Sequence, residues 1–171
     1  MTKKLAKPEG SVAAQAGLAA RQTDHIQLLI GEYKHNLDAK KRLSIPSKFR
    51  KELGEGAVLT RGLDNCLFVF PLKFWTPFAE MLAGLSMAKQ DTRSFSRLFL
   101  SGASEVEFDS LGRVLIPDNL KEYAGLNKSV VVAGLFNRLE IWDEEKWNSY
   151  RANLEKNSDS IAEKLGELGI I

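Results

Sequence analysis

With 171 residues, 44% of them hydrophobic and 9% aromatic, the chain can bury the core of one ordinary domain or two very small ones, which excludes an intrinsically disordered protein. No apolar run approaches the roughly 18 residues of a membrane span, and the basic N-terminus lacks a continuous apolar segment, so neither an anchor nor a signal peptide is expected. A net charge of +2 is too small to point to nucleic acid, and the lone Cys66 has no partner for an internal disulfide, which fits a reducing cytoplasm.

Residues 1–28 are rich in Ala, Gly, Lys and Gln and read as a mobile N-terminal extension. Strand-like sequence runs from Leu29 to Leu37, and Asp38-Ala-Lys-Lys reads as a turn, because an aspartate side chain accepts from backbone N–H groups two residues on. Arg42 to Ile45 alternates polar and apolar, which puts Leu43 and Ile45 on one face of a return strand. Pro46 suits a helix start, Phe49 and Leu53 share a helical face, and Gly54 terminates the helix. Ala57–Arg61 and Cys66–Phe70 then read as strands around a Gly-Leu-Asp-Asn turn. The unit at 29–72 is therefore strand, strand, short helix, strand, strand.

A helical spacer follows at 73–101, with one apolar stripe on Trp75, Phe78, Met81, Leu82 and Leu85 and another on Phe95, Leu98 and Phe99. The second unit, 102–145, repeats the first. Moved forward by 71 positions, Gly31, Asp38, Arg42, Ile45, Pro46 and Gly54 fall on Gly102, Asp109, Arg113, Ile116, Pro117 and Gly125. After a one-residue insertion, Val58, Gly62, Leu63, Asn65, Leu67 and Trp75 fall on Val130, Gly134, Leu135, Asn137, Leu139 and Trp147. A helical tail occupies 146–171; its first helix, Glu144–Asn157, is capped by Asp143, and a second, shorter one runs from Asp159 to Leu168. Units of about 45 residues rarely fold alone. The pair is therefore expected to form one β-rich α+β body of two tandem ββαββ repeats about a pseudo-two-fold axis, with flanking helices.

Charge is concentrated beside the first turn, where Asp38–Lys51 holds six Lys or Arg against one acid. Arg42 and Arg113 stand just after the two hairpin turns, the former beside Lys40, Lys41 and Lys48. Such residues suit DNA, through lysines on phosphates and an arginine on a guanine edge. They equally suit a plainer role, in which each arginine pairs with its own aspartate, Asp38 or Asp109, and stiffens the turn. The basic row Lys89, Arg93, Arg97 reads as a solvated face or a subunit contact, with phosphate contact as the alternative. Glu105 and Glu107 read as a polar strand face, Cys66 as a small core residue, and Trp75 and Trp147 as helix-to-barrel packing rather than base-stacking platforms. His25 and His35 lack neighbours at metal-ligand spacing, and no phosphate-loop or dinucleotide motif occurs, so no catalysis, metal or cofactor is expected.

Five motifs resemble the MraZ family of bacterial transcription regulators: Gly-Glu-Tyr at 31–33, Leu-Asp-Ala-Lys-Lys-Arg-Leu-Ser-Ile-Pro at 37–46, Phe-Asp-Ser-Leu-Gly-Arg-Val-Leu-Ile-Pro at 108–117, Glu-Tyr-Ala-Gly-Leu at 122–126 and Phe-Asn-Arg-Leu-Glu-Ile-Trp at 136–142. The resemblance implies the swapped-hairpin, double-split β-barrel fold of SpoVT/AbrB-type DNA-binding modules, two per chain. It implies a ring-shaped homo-oligomer, cytoplasmic and nucleoid-associated. It also implies a repressor that binds double-stranded DNA at repeated half-sites and controls its own operon in the division and cell-wall cluster. Arg42, Arg113, Lys40, Lys41 and Lys48 would then face DNA, with Asp38 and Asp109 orienting the loops. The alternative is a swapped-hairpin scaffold or antitoxin-like module that binds protein. Two departures from the family stand out. Lys41 replaces the glycine of the first Asp-x-x-Gly-Arg turn, and the extension precedes Leu29, where the family's chains usually begin. The extension is accordingly expected to be dispensable, with translation starting at Leu29.

Overall fold

The computed structural model describes residues 28–54 and 56–171; the proposed N-terminal extension, with His25, lies outside them but for Leu28. The first unit comprises β1 (Leu29–Asn36), β2 (Arg42–Ser44), α1 (Ser47–Leu53), β3 (Gly56–Arg61) and β4 (Leu67–Pro71). The spacer folds as α2 (Leu72–Ala83) and α3 (Gln90–Leu100). The second unit comprises β5 (Ser104–Glu107), β6 (Arg113–Leu115), α4 (Asp118–Ala124), β7 (Ser129–Phe136) and β8 (Leu139–Asp143), and α5 (Glu144–Glu167) follows it. Both units thus have the expected strand, strand, helix, strand, strand order. Asp64 and Asn65 take positive φ values of 55° and 59° between β3 and β4, the backbone of a tight hairpin turn.

The two units exchange their first strands. β1 pairs with β7 of the other unit, β5 pairs with β3, and β4 meets β8 at the centre, giving an antiparallel six-stranded sheet in the order β1-β7-β8-β4-β3-β5. That order is symmetric about the β8–β4 junction. β2 and β6 pair in a separate two-stranded ribbon, with Leu43 opposite Val114. The described strands form this sheet and ribbon without closing a hydrogen-bonded barrel, where a double-split barrel was expected. A single bridge, Leu37 to Leu43, links the ribbon to the chain just beyond β1, and β2 and β6, three residues each, add no further rungs to the sheet.

The core has two halves, one on each face of the sheet. Leu43, Ile45, Phe49, Val114, Ile116 and Leu120, all 0–1% exposed, seal the ribbon, α1 and α4 onto the first face. On the second face, Phe68, Phe70, Trp142, Leu82 and Phe99 form an aromatic cluster beneath α2, α3 and the start of α5. β4 shows why both halves are needed: Leu67 and Val69 serve one and Phe68 and Phe70 the other. The Thr60 hydroxyl donates to the carbonyl of Phe99 at 2.6 Å, satisfying a polar pair inside this packing. Cys66, buried in the aromatic cluster, and the exposed Glu105 and Glu107 fit their expected structural roles.

Two helical expectations are corrected. Met81, expected in the apolar stripe of α2, is 50% exposed, because the stripe that meets the sheet runs through Trp75, Phe78 and Leu82. α5 is a single helix from Glu144 to Glu167, not two. At the expected break, Asn157 donates to the carbonyl of Asn153 and Ser158 to that of Glu155, so these side chains bond back into the helix instead of capping a new one. Asp143 caps α5 as expected, accepting from the N–H groups of Glu145 and Lys146.

Candidate functional site

The strand exchange brings the two hairpin loops together. Asp38 Oδ1 accepts from the N–H groups of Lys40 and Arg42 at 2.8 and 2.9 Å, and its Oδ2 accepts from Arg42 Nε at 2.7 Å. Asp109 does the same with Leu111 N–H at 3.0 Å, Arg113 N–H at 2.9 Å and Arg113 Nε at 2.7 Å. Each carboxylate therefore ties its turn and aligns its arginine, the arrangement that an Asp-x-x-x-Arg spacing permits. The second nitrogen of each fork, Nη2, also lies 2.7 Å from its own aspartate.

The loops also see each other. Arg42 Nη1 lies 3.9 Å from Asp109, and Arg113 Nη1 lies 3.8 Å from Asp38. These crossed distances exceed a hydrogen bond, so the Nη1 donors remain available to a ligand. All four side chains are about one-third exposed. Backbone bonds cross as well: Ile45 N–H donates to Gly112 and Ile116 N–H to Lys41, each at 3.0 Å. The arginine hydrogen bonds lower the Asp38 carboxyl below its ordinary range, the backbone N–H of Arg42 contributing most, and hold Asp109 down to about 2, chiefly through the Arg113 side chain. Both carboxylates are charged at neutral pH. The quartet is electrically neutral within itself, so attraction at a distance falls to the lysines around it.

Lys40 is exposed at the tip of the first loop. Lys41 takes φ = 60° and Gly112, its counterpart, φ = 72°, so the position does require the left-handed region. Lys41 reaches the carboxylate of Asp118 at the start of α4. With Lys121 and Lys128 it lines a depression of about 630 Å³ beside the first loop. Lys48 stands apart from this group: its ammonium donates at 3.1 Å to the carbonyl of Ile30, at the far end of β1 from the loop.

Arg50 stands in the sequence only as one member of the basic stretch Asp38–Lys51, with no signal of a role of its own. Its Nε donates to the carbonyl of Ile45 at 2.8 Å and its Nη2 to the Ser44 hydroxyl at 3.3 Å, which lays the guanidinium across Gly112. Also unforeseen is a groove of about 500 Å³ on the other sheet face, walled by Phe68, Trp142, Trp147 and Tyr150. Glu140 lies in its floor, accepting from Arg138 Nη2 at 2.9 Å and Trp142 Nε1 at 3.1 Å. Among the described residues, no group of three or more His, Cys, Asp or Glu is placed to hold a metal ion. No described helix is long and apolar enough to cross a membrane.

Fold and site together define a class: a two-unit, strand-exchanged α+β protein that presents paired Asp–Arg hairpin loops on one side. A family model described as "MraZ protein, putative antitoxin-like" matches the chain twice, over residues 28–98 and 99–166. The chain is 48% identical over 143 residues to the transcriptional regulator MraZ of Natranaerobius thermophilus, and 50% identical over 143 residues to that of Acetivibrio thermocellus. The regulator of the same name from Clostridium tetani is 50% identical over 144 residues. Each alignment covers 84% of this chain and 100% of the relative. The chain belongs to the MraZ family.

Proposed function

We propose that this protein is a sequence-specific DNA-binding transcriptional regulator, a repressor of its own operon in the division and cell-wall cluster, acting in the cytoplasm on the nucleoid. The observation that carries the reading is the loop pair. Two arginines, each aimed by an aspartate and each keeping Nη1 donors free, converge from two units onto one surface. Arginine forks of this kind read guanine edges or grip phosphates. Lys40 and Lys41, together with Lys121 and Lys128 around the neighbouring depression, supply phosphate contacts, with Lys48 an outlying one. Asp38 and Asp109 orient the loops. The ribbon lying over the sheet is read as half of a double-split barrel of the SpoVT/AbrB type, with the sheet as the other half.

A homo-oligomeric ring fits the same reading. Met87, Phe95 and Leu100 on the spacer and Leu154, Ile161 and Leu168 along α5 are 36–72% exposed, apolar surface that the described residues leave open. Repeated loop pairs around a ring would engage repeated half-sites in series, so weak contacts add through effective concentration. The experiment is a gel-shift titration of the full chain on the DNA just upstream of its own gene, beside a shuffled duplex of equal length. The reading expects retardation of the upstream duplex at far lower protein concentration. Equal affinity for both duplexes would leave the protein-binding scaffold as the better account.

A further inference from the structure

We propose that Arg50 is a positioning residue for DNA recognition, which makes the second hairpin loop the rigid reader and the first the adaptable one. The proposal rests on the loop-pair reading above. Arg50 belongs to α1 of the first unit, yet its guanidinium lies over Gly112 in the loop of the second. A Cβ built at Gly112 would sit 2.3 Å from Cζ and Nε of Arg50, so this clamp and a side chain at that position exclude each other. Two hydrogen bonds, to the Ile45 carbonyl and the Ser44 hydroxyl, fix the plane of the guanidinium. Ile45 in turn donates to the Gly112 carbonyl, and Ser44 is the register partner of Arg113. Arg50 thus closes a ring of contacts around the residue that precedes Arg113.

The first loop is held differently. The position equivalent to Gly112 is Lys41, and the position equivalent to Arg50 is Lys121. Lys41 carries a side chain where the clamp would lie and sends it outward to Asp118. Both partners of that pair are well exposed, so the tie is weak and screened by salt. A lysine cannot reproduce the planar two-point hold of an arginine, so the charge of Lys121 is no substitute.

The test is operator affinity of the full chain by fluorescence anisotropy against salt, on the upstream duplex and on a shuffled one, with oligomer size and thermal unfolding measured in parallel. Arg50→Lys keeps the charge and removes the fork. It is expected to weaken upstream binding about tenfold, equivalent to roughly 1.4 kcal/mol, with shuffled-duplex affinity and salt slope unchanged. Ser44→Ala, the milder variant, is expected to shift affinity in the same direction by less, and it decides the matter if Arg50→Lys disturbs the fold. Arg50→Lys at wild-type affinity overturns the proposal, as does an equal loss on both duplexes with a shallower salt slope, the mark of a phosphate contact. Arg113→Ala serves as the control: if it too binds as wild type, the loop-pair reading itself fails, whereas its loss beside an unaffected Arg50→Lys condemns only the clamp.

Discussion

Asp109 and Asp38 set what the two arginines can do, and their chemistry gives the residue-scale predictions. The folded Asp109 carboxyl ionises near 2, below its ordinary value of 3.8. A depressed carboxyl contributes stability that is present above the unfolded value and lost as pH falls through the folded one. Loop order from Asp109 should therefore be constant above about pH 4 and fade toward pH 2, and an Asp109→Asn protein should lack that acid component in urea titrations. His35 acts at milder pH. Burial, then the nearby Arg50 charge, lowers its pKa from the ordinary 6.5. Stability should thus decline as pH falls below 6.5 through the lower folded value, and His35→Gln should flatten that slope. The loop glycine gives a third contrast. Left-handed strain at Lys41 costs roughly 1–2 kcal/mol, which about offsets its pair with Asp118 and the extra freedom a glycine would lose on folding. Lys41→Gly is expected to change stability by less than about 1 kcal/mol. Gly112→Ala meets the left-handed strain and displaces the flexible end of Arg50, and is expected to cost about 1–2 kcal/mol by urea unfolding.

At the scale of elements, the ribbon is the weak link on which the loops depend. β2 and β6 are three residues each and rest on Leu43 and Val114, both 0% exposed. Leu43→Ala should cost about 2–5 kcal/mol, read from chemical unfolding, and should lower operator affinity because it unseats both arginines. Much of this level was legible in the sequence. The Asp38 and Asp109 turns follow from local hydrogen-bonding chemistry, and the seating of Leu43, Ile45, Phe49 and Leu53 follows from alternation and helical period. The partner of each strand was not legible. Alternation tells which way Tyr33 or Val132 faces but not that β1 lies beside β7, since two similar units offer similar edges. The Arg50–Gly112 contact escaped for the same reason, as it forms only once the units have exchanged strands. The continuity of α5 escaped because Asn157 and Ser158 are cap formers that here bond to their own helix.

For the whole molecule, the sheet order explains why two units share one chain: neither can complete its edge without the other. The body leaves α5 extending beyond it, and no residue after Asp143 is buried. Light scattering at micromolar concentration should therefore give a mass above that of a dimer of the 19.1 kDa chain. Deleting residues 152–171 should reduce the oligomer while the remaining chain keeps its cooperative unfolding. A deletion that left the number of subunits unchanged would place the subunit contacts on the spacer helices instead. DNA recognition is placed on the loops, so the decisive measurement is the affinity of Arg113→Ala for the DNA upstream of its own gene, with oligomer size checked on the same sample. A bidentate guanine contact is worth about 1–3 kcal/mol per site, and repetition around a ring multiplies the loss. The expected result is an intact oligomer that no longer distinguishes the upstream duplex from a shuffled one. An Arg113→Ala protein with both its oligomer and its wild-type operator affinity would contradict it.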